Sequence, residues 1–248
     1  MGEGALVKET IERLFAAIET RDLRVIDSLL HPDVSWQNVP HPPAQGREAV
    51  LQLLGNILCW SDRVQWDVVS KSVSGTAGWY ERLDRFWLAG EEHAVACNGV
   101  FTVDVASKTV IAVRDYVDLG EWRRRVDPVM ALLAKRTAVE VVVRHIEAVE
   151  TQDAVAMCSD YALDAVLERP TATYRGWSAI ADYFDTVPPR LGTQRVSFSP
   201  VESLDSDQAR VRWHIDREGE PPVSGSDIFT VIGGRIVRQV TELEGADF

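Results

Sequence analysis

Residues 17–22 read Ala17-Ile18-Glu19-Thr20-Arg21-Asp22, and residues 148–153 repeat the segment almost unchanged as Ala148-Val149-Glu150-Thr151-Gln152-Asp153. A second match follows much later in the chain, where Phe101-Thr102-Val103 returns as Phe229-Thr230-Val231. Self-similarity at a long, nearly constant spacing is typical of a duplicated structural unit. The sequence therefore predicts two copies of one domain, and 248 residues suit two domains of ordinary size.

The two predicted domains, residues 1–134 and 135–248, share a layout of helices followed by strands. Val7, Ile11 and Ile18 recur at helical spacing in the first copy. In that copy we predict helices near residues 7–18, 23–30, 47–58 and 121–134, and strands near 34–38, 63–73, 78–88, 92–104 and 109–118. Helices first and antiparallel strands afterwards indicate an α+β fold. A long helix over a strongly curved, mostly antiparallel sheet would enclose a cone-shaped pocket in each copy.

The composition is that of a globular protein, with 46% hydrophobic and 26% charged residues. The formal net charge is -12 and the isoelectric point is about 4.9. Such a surface repels phosphate backbones, so we expect no nucleic-acid partner. The basic run Arg123-Arg124-Arg125 is interpreted as a solvated helix face.

The remaining bulk features favour a cytoplasmic protein without metal. The N-terminal residues contain acidic side chains and no long apolar run, so we expect no signal peptide there. No apolar stretch has the length of a membrane helix. Cys59, Cys97 and Cys158 are too few and too widely spaced for a disulfide framework. The histidines have no metal-ligand spacing; they are His31, His41, His93, His145 and His214.

Asp115 is a single carboxylate on the apolar face of a predicted strand. With alternation along residues 110–119, it shares a face with Val113 and Val117. An ionised carboxylate is unfavourable in an apolar environment unless it is paired. Asp115 is therefore expected to have a charged partner or a chemical role.

The partner is suggested by the strand near residues 78–88. Arg82 and Asp84 stand two residues apart on one face, between Tyr80 and Phe86. If the guanidinium lies between two carboxylates, one positive charge does not neutralise both, and a shared proton makes one an acid and the other a base. The same pattern is also compatible with a structural ion-pair network.

A fourth polar residue, Asn38, shares a face with Trp36 on the strand near residues 34–38, where an amide can hold water by both donor and acceptor. Together these segments resemble the limonene-1,2-epoxide hydrolases, a family within the SnoaL-like and nuclear transport factor 2-like proteins. The resemblance rests on four ordered segments of the first copy: residues 36–50, Glu81-Arg82-Leu83-Asp84, Gly99-Val100-Phe101 and residues 114–119.

The resemblance implies a one-step addition of water to a hydrophobic epoxide, without metal, cofactor or covalent intermediate. It implies that Asp115 is the base, that Asn38 positions the water, that Asp84 is the acid and that Arg82 bridges the two carboxylates. General acid and base assistance is typically worth about 10²–10⁴-fold per group. The expected substrate contacts are Trp36, Tyr80, Phe86 and His41.

Trp36 departs from the family pattern, which has a tyrosine at this position. An indole only donates a hydrogen bond, whereas a tyrosine hydroxyl also accepts one. The first expectation is an epoxide hydrolase, and the Trp36 departure would favour the alternative, an epoxide-opening cyclase or isomerase of natural-product biosynthesis. A non-catalytic binding module is the third possibility, since one fold hosts many functions, but the intact set of Asp84, Arg82 and Asp115 argues against it.

The second copy is predicted to lack the catalytic set. The sequence alignment places Arg169 at the position of Asn38, Thr241 at that of Asp115, and Val211 and Trp213 at those of Arg82 and Asp84. Asp227 and Glu242 are its remaining candidate carboxylates. Members of the resembled family pair as homodimers, so the second copy is expected to take a partner's place in a monomeric pseudo-dimer, with a homodimer as the alternative.

Overall fold

The computed structural model describes residues 2–217 and 222–244 and divides the chain into two units, Met1–Met130 and Ala131–Phe248. Each unit places its helices against a single sheet. The predicted α+β class and the tandem duplication are therefore confirmed.

In the first unit, two helices precede the first strand, a third lies between the second and third strands, and a fourth follows the last strand. The elements of this unit are α1 (Glu3–Thr20), α2 (Leu23–Leu29), β1 (Leu30–Asn38), β2 (Ala44–Gln45), α3 (Gly46–Leu58), β3 (Arg63–Ser74), β4 (Ala77–Leu88), β5 (Glu91–Asp104), β6 (Thr109–Val117) and α4 (Leu119–Leu133). The strands follow the order β2-β1-β6-β5-β4-β3, and only the β1–β6 pair among them is parallel.

The second unit repeats the order of helices and strands, and most of its helices are shorter than those of the first unit. The elements of the second unit are α5 (Ala138–Thr151), α6 (Ala154–Cys158), β7 (Tyr161–Arg169), β8 (Ala172–Arg175), α7 (Trp177–Asp185), α8 (Val187–Leu191), β9 (Val196–Phe198), β10 (Glu202–Ser203), β11 (Gln208–Ile215), β12 (Val223–Ile232) and β13 (Arg235–Leu243). The sheet order is β10-β11-β12-β13-β7-β8, with β9 paired to β11, and β7 runs parallel to β13.

The repeated segment of the sequence is a turn between two helices. In the first unit, α1 is followed by its C-cap Arg21, whose backbone has a left-handed conformation with a φ of 62°. The side chain of Asp22 then caps α2 by accepting a hydrogen bond from the backbone N–H of Arg24. In the second unit Gln152 has a φ of 57°, and Asp153 caps α6 in the same way. Capping satisfies backbone donors that a helix leaves unpaired, so the aspartate is required at the same place in both copies.

One face of β4 is buried against the helices of the first unit. Tyr80, Arg82, Asp84 and Phe86 are buried, whereas Glu81 between them is exposed. This alternation follows the period-2 geometry of a strand and agrees with the face assigned from the sequence. The inner face of the sheet therefore carries the charged side chains into the unit's interior.

The first strand is longer than the sequence indicated. The His31-Pro32 step was expected to separate a helix from a strand beginning near Val34, yet β1 starts at Leu30, which is in register with Val110 of β6. The parallel pairing with β6 extends the strand through Pro32. The register of this pairing shifts between Leu30 and Ser35, around the proline, which has no backbone N–H to donate.

In the part of the chain that the structure describes, no helix has the length and apolar character to cross a membrane.

Candidate active site

The first unit encloses a cavity of about 330 Å³ between its sheet and helices α3 and α4. Apolar side chains form most of its wall, and the polar groups at it include both expected catalytic carboxylates and Asn38. Its lining consists of Trp36, Asn38, Leu53, Leu54, Asn56, Ile57, Trp66, Asp84, Phe86, Val95, Cys97, Asp115, Val117, Leu119, Trp122, Arg123, Val126, Asp127 and Met130. A cavity of this size and polarity is typical of a small-molecule site.

Arg82 bridges the two buried carboxylates, as the sequence analysis expected. Its Nε and Nη2 donate to Oδ1 and Oδ2 of Asp84, each at 3.0 Å, and Nη2 also donates to Oδ1 of Asp115 at 3.0 Å. The three residues are only 1%, 5% and 5% exposed, in the order Arg82, Asp84, Asp115. Asp84 lies two residues along the same strand, and Asp115 is reached across β5, so the sheet itself sets this geometry.

Three aromatic rings pack against the guanidinium of Arg82. The guanidinium carbon lies 4.2 Å from the ring centre of Trp66, 5.1 Å from that of Phe101 and 5.3 Å from that of Phe15. Burial acts to lower the pKa of Arg82, but the charges of Asp115 and Asp84 outweigh it and raise the pKa above its ordinary value. The guanidinium is therefore a permanent cation, fixed behind the carboxylates rather than at the cavity wall.

Asp84 is a carboxyl group whose pKa is raised toward neutral pH. Burial raises its pKa to about 6, helped by the charge of Asp115 and opposed by the hydrogen bonds and charge of Arg82. Burial dominates because a charged carboxylate is poorly solvated at this wall. Asp84 can therefore carry a proton at the cavity at a pH where an exposed aspartate has lost it.

Asp115 accepts hydrogen bonds from three side chains on three strands. Arg82 donates to Oδ1, the indole Nε1 of Trp36 donates to Oδ2 at 3.0 Å, and the thiol of Cys97 lies 3.4 Å from Oδ1. A carboxylate offers about four lone-pair positions. Among the described residues, these three donors occupy three of the lone-pair positions. The fourth position belongs to Oδ2, and Asp115 itself lines the cavity.

Asn38 is held beside Asp115 by the parallel pairing of β1 and β6. The two residues are in register, and the backbone N–H of Val39 donates to the carbonyl oxygen of Asp115 at 2.8 Å. Both side chains line the cavity. The structure thus brings together all four residues expected to form the catalytic set.

Gly99 belongs to a segment that carries the resemblance, but the sequence analysis gave it no role in the site. It lies opposite Asp115 on β5, and a Cβ at this position would be 2.2 Å from Nη1 of Arg82 and 2.7 Å from Oδ1 of Asp115. Only a residue without a side chain allows the arginine to reach both carboxylates. Its position inside a strand of branched and aromatic residues was the available sequence signal.

Two of the four expected substrate contacts are placed at the cavity and two are not. Trp36 and Phe86 line it, and Phe86 packs against Trp122 with ring centres 5.1 Å apart. Tyr80 is buried against Phe15 of α1 and Phe101 of β5 and is not part of the cavity lining. His41 is exposed in the loop after β1, where its backbone bonds to Asn38 and Gln37. Neither Tyr80 nor His41 is among the residues that line this cavity.

The sequence analysis missed the helical walls of the cavity. Leu53 and Ile57 come from α3, while Trp122, Val126 and Met130 come from α4 at spacings of four residues. Arg123 is exposed, as the solvated-face interpretation requires, but it also lies at the cavity. The sequence analysis predicted a helix near residues 121–134 but did not assign any of its side chains to the site.

The second unit shows that the sequence alignment of the copies was displaced along one strand. Trp213 pairs with Gly225 and Gly225 with Leu243, as Arg82 pairs with Cys97 and Cys97 with Val117. Trp213 therefore occupies the position of Arg82 rather than that of Asp84. Ile215 stands at the Asp84 position and Val211 at that of Tyr80, so no Arg-x-Asp pair occurs at these positions in either alignment.

In the second unit, the cavity that Trp213 and Asp227 line is smaller, about 60 Å³. Its carboxylate, Asp227, stands in the Gly99 position and accepts a hydrogen bond from Thr241 at 2.5 Å. Burial raises the pKa of Asp227 and lowers that of His145, another lining residue, to about 4. Glu242 is directed outward, where it contacts Ser226. In the described ranges of the chain, no three metal-ligating side chains converge on a common point.

Three solved structures are similar to one unit of this chain. An LEH-like epoxide hydrolase of M. tuberculosis is 22% identical, with a TM-score of 0.44, and covers 53% of this chain and 97% of its own. A candidate SnoaL-like polyketide cyclase from Shewanella denitrificans OS-217 is 8% identical, with a TM-score of 0.45, and covers 49% and 97%. Bal32a, from a soil-derived mobile gene cassette, is 21% identical, with a TM-score of 0.43, and covers 50% and 98%.

The model of the SnoaL-like domain matches the sequence twice, at residues 11–104 and 142–239, which together make up more than half of the chain. The two matches fall in the two structural units. Their strand orders agree with one another, and each unit carries a cavity over its sheet. The chain therefore belongs to the SnoaL-like domain family and contains two copies of that domain.

Proposed function

We propose that the first unit is an epoxide hydrolase that adds water to a small or medium-sized hydrophobic epoxide. The observation that carries the proposal is the Arg82 bridge between two buried carboxylates, both of which line an apolar cavity. A strained ring with a poor leaving group reacts fastest when protonation at oxygen and attack at carbon coincide. A protonated and an ionised carboxylate in one cavity provide both.

The nucleophilic water is assigned to Asp115 Oδ2 and the Asn38 amide. Oδ1 already has two donors, so Oδ2 is the oxygen with a lone pair for the water's proton. The Asn38 amide, in register with Asp115, fixes the orientation of the water. Proton transfer to Asp115 accompanies formation of the carbon–oxygen bond.

Asp84 donates the second proton to the epoxide oxygen as the carbon–oxygen bond of the ring breaks. Its pKa of about 6 makes it a better donor near neutral pH than an ionised aspartate. The step ends with Asp84 ionised and Asp115 protonated, and exchange with solvent returns the proton. Arg82 contacts both carboxylates before and after the step, so the charge redistribution does not leave either one unpaired.

Turnover of an epoxide panel in ¹⁸O-labelled water tests this function. The wild-type protein is expected to give vicinal diols with a single label, and Asp115→Asn is expected to give none, because an amide cannot take the proton from water. Glu81→Gln is the matched control, since Glu81 is an exposed carboxylate on the outer face of β4. Equal turnover by Asp115→Asn and the control would contradict the assigned base.

An intramolecular epoxide opening is the second candidate, and the Trp36–Asp115 hydrogen bond favours it. The indole donates directly to the base at 3.0 Å and offers no oxygen acceptor to a water molecule. A hydroxyl of the substrate could then replace water as the nucleophile, with Asp115 and Asp84 in the same roles. The labelled-water experiment separates the two candidates, because a cyclic ether would carry no label.

A further inference from the structure

The thiol of Cys97 lies within the charged cluster of the first unit. Cys97 is in register with Arg82 on one side and with Val117 on the other, and it lines the cavity. Its Sγ is 3.3 Å from Nη2 of Arg82 and 3.4 Å from Oδ1 of Asp115, and the residue is 3% exposed. The chemistry assigned to Asp115 and Asp84 gives this thiol no role.

The direction of the hydrogen bond follows from counting protons. Nη2 of Arg82 carries two, and both have oxygen acceptors at 3.0 Å, on Asp84 and on Asp115. The sulfur is therefore not required as an acceptor for Arg82, and its own proton can be donated. Burial, followed by the charge of Asp115, raises the pKa of the Cys97 thiol well above its ordinary value, so the sulfur retains that proton.

We propose that Cys97 is a positioning residue for the base, whose S–H donates to Oδ1 of Asp115 and, together with Arg82, occupies both lone pairs of that oxygen. Proton transfer from the nucleophile is thereby confined to Oδ2, the oxygen that Trp36 contacts. A thiol is a weak donor, so it blocks Oδ1 without stabilising the ionised carboxylate as strongly as a hydroxyl would. This inference rests on the proposed function, because it takes Asp115 as the base.

The surroundings of Asp115 define what else affects its titration. Arg82 of β4, Cys97 of β5 and the Trp36 indole of β1 contact its carboxylate. The other polar and charged groups that line the same cavity are Asp84 of β4, Asn38 of β1, Asn56 of α3, and Arg123 and Asp127 of α4. Phe15 is the residue of α1 that packs on this cluster. Replacing the thiol alone leaves all of these groups in place.

The test is a carboxyl ¹³C NMR titration of protein labelled at aspartate, with the Asp115 resonance assigned through Asp115→Asn. Cys97→Ala removes the donor and is expected to raise the midpoint of the Asp115 titration by about half a pH unit, a shift typical of losing one weak hydrogen bond. Cys97→Ser restores a donor and is expected to keep the midpoint at or below that of the wild type. Cys59→Ala removes a different buried thiol of the same unit and should leave it unchanged.

Two results would overturn the inference: an unchanged Asp115 midpoint in Cys97→Ala, or equal rises in the alanine and serine variants, which would indicate loss of packing alone. Thermal denaturation of each variant shows whether the fold is retained, and the serine variant supplies a second reading if alanine is destabilised. The titration needs no substrate. A failure of the proposed function would therefore appear as absent turnover with the titration result intact. If the protein is active, the acidic limb of kcat/KM should move with the NMR midpoint.

Discussion

The protonation of Asp84 should set the upper pH limit of activity. With a pKa of about 6, roughly a tenth of the protein carries the proton on Asp84 at pH 7 and about a hundredth at pH 8. An aspartate at the ordinary value of 3.8 would be protonated about a hundred times less often at pH 7. Since the proposed acid works only when protonated, kcat/KM is expected to fall about tenfold per pH unit above pH 6.

Substitution of Asp84 should remove both the rate and its pH dependence. Asp84→Asn keeps the size of the side chain and one acceptor for Arg82, but its amide delivers no proton to the epoxide oxygen. We expect kcat/KM to fall by about 10²–10⁴-fold at pH 6, the usual value of general acid assistance. The activity that remains should no longer decline above pH 6, because the group that titrates there is gone.

The assay is the rate of diol formation from a saturable epoxide between pH 5 and 9 for the wild type, Asp84→Asn and Glu81→Gln. Glu81 is the neighbouring carboxylate on the opposite face of β4, so its variant should reproduce the wild-type profile. A wild-type profile that keeps rising through pH 8 would refute the assignment of Asp84 as the acid. So would an Asp84→Asn variant that retains the wild-type basic limb.

Three further predictions concern close packing, the water site and the second unit. Gly99→Ala should lower the free energy of unfolding by about 1–3 kcal/mol in urea denaturation and should reduce turnover, because its Cβ would lie 2.2 Å from Nη1 of the buried Arg82. Gly4→Ala is the control, since the nearest atom to its Cβ would be 3.9 Å away. Trp36→Tyr should increase the yield of labelled diol, because a hydroxyl both donates and accepts at the water site, and unchanged products would mean that the ring only fills space. Asp227→Asn should keep kcat/KM within about twofold of the wild-type value, a much smaller change than the loss expected for a catalytic acid or base. A tenfold decrease in kcat/KM would indicate that the second unit takes part in the reaction.

The candidate catalytic set was accessible from the sequence because it obeys local rules. Strand alternation places Arg82 and Asp84 on one face, and an isolated carboxylate on an apolar face marks Asp115. Their mutual contact was an inference about two strands separated by a third, and it holds because β5 keeps both in register. Resemblance supplied the roles, which alternation alone does not assign.

The differences between the sequence expectations and the structure concern the extent of the cavity and the strand register rather than alternation. Tyr80 shares the inner face with Asp84, yet it lies beneath α1, because a cavity covers only part of a sheet face. In the second unit, the alignment assigned Trp213 to the wrong partner by two residues. An error of two residues keeps every side chain on its own face, so the burial pattern does not reveal it.

The sequence by itself determined the duplication, the α+β class and the residues that face inward, because helix caps and strand alternation are properties of neighbouring residues. The tertiary structure decided which groups meet. The contact of the Trp36 indole with Asp115, the approach of Cys97 to the same carboxylate and the requirement for glycine at position 99 all join residues on different strands. These contacts depend on side-chain direction and sheet register at the scale of a few ångströms, and no local pattern in the chain encodes that information.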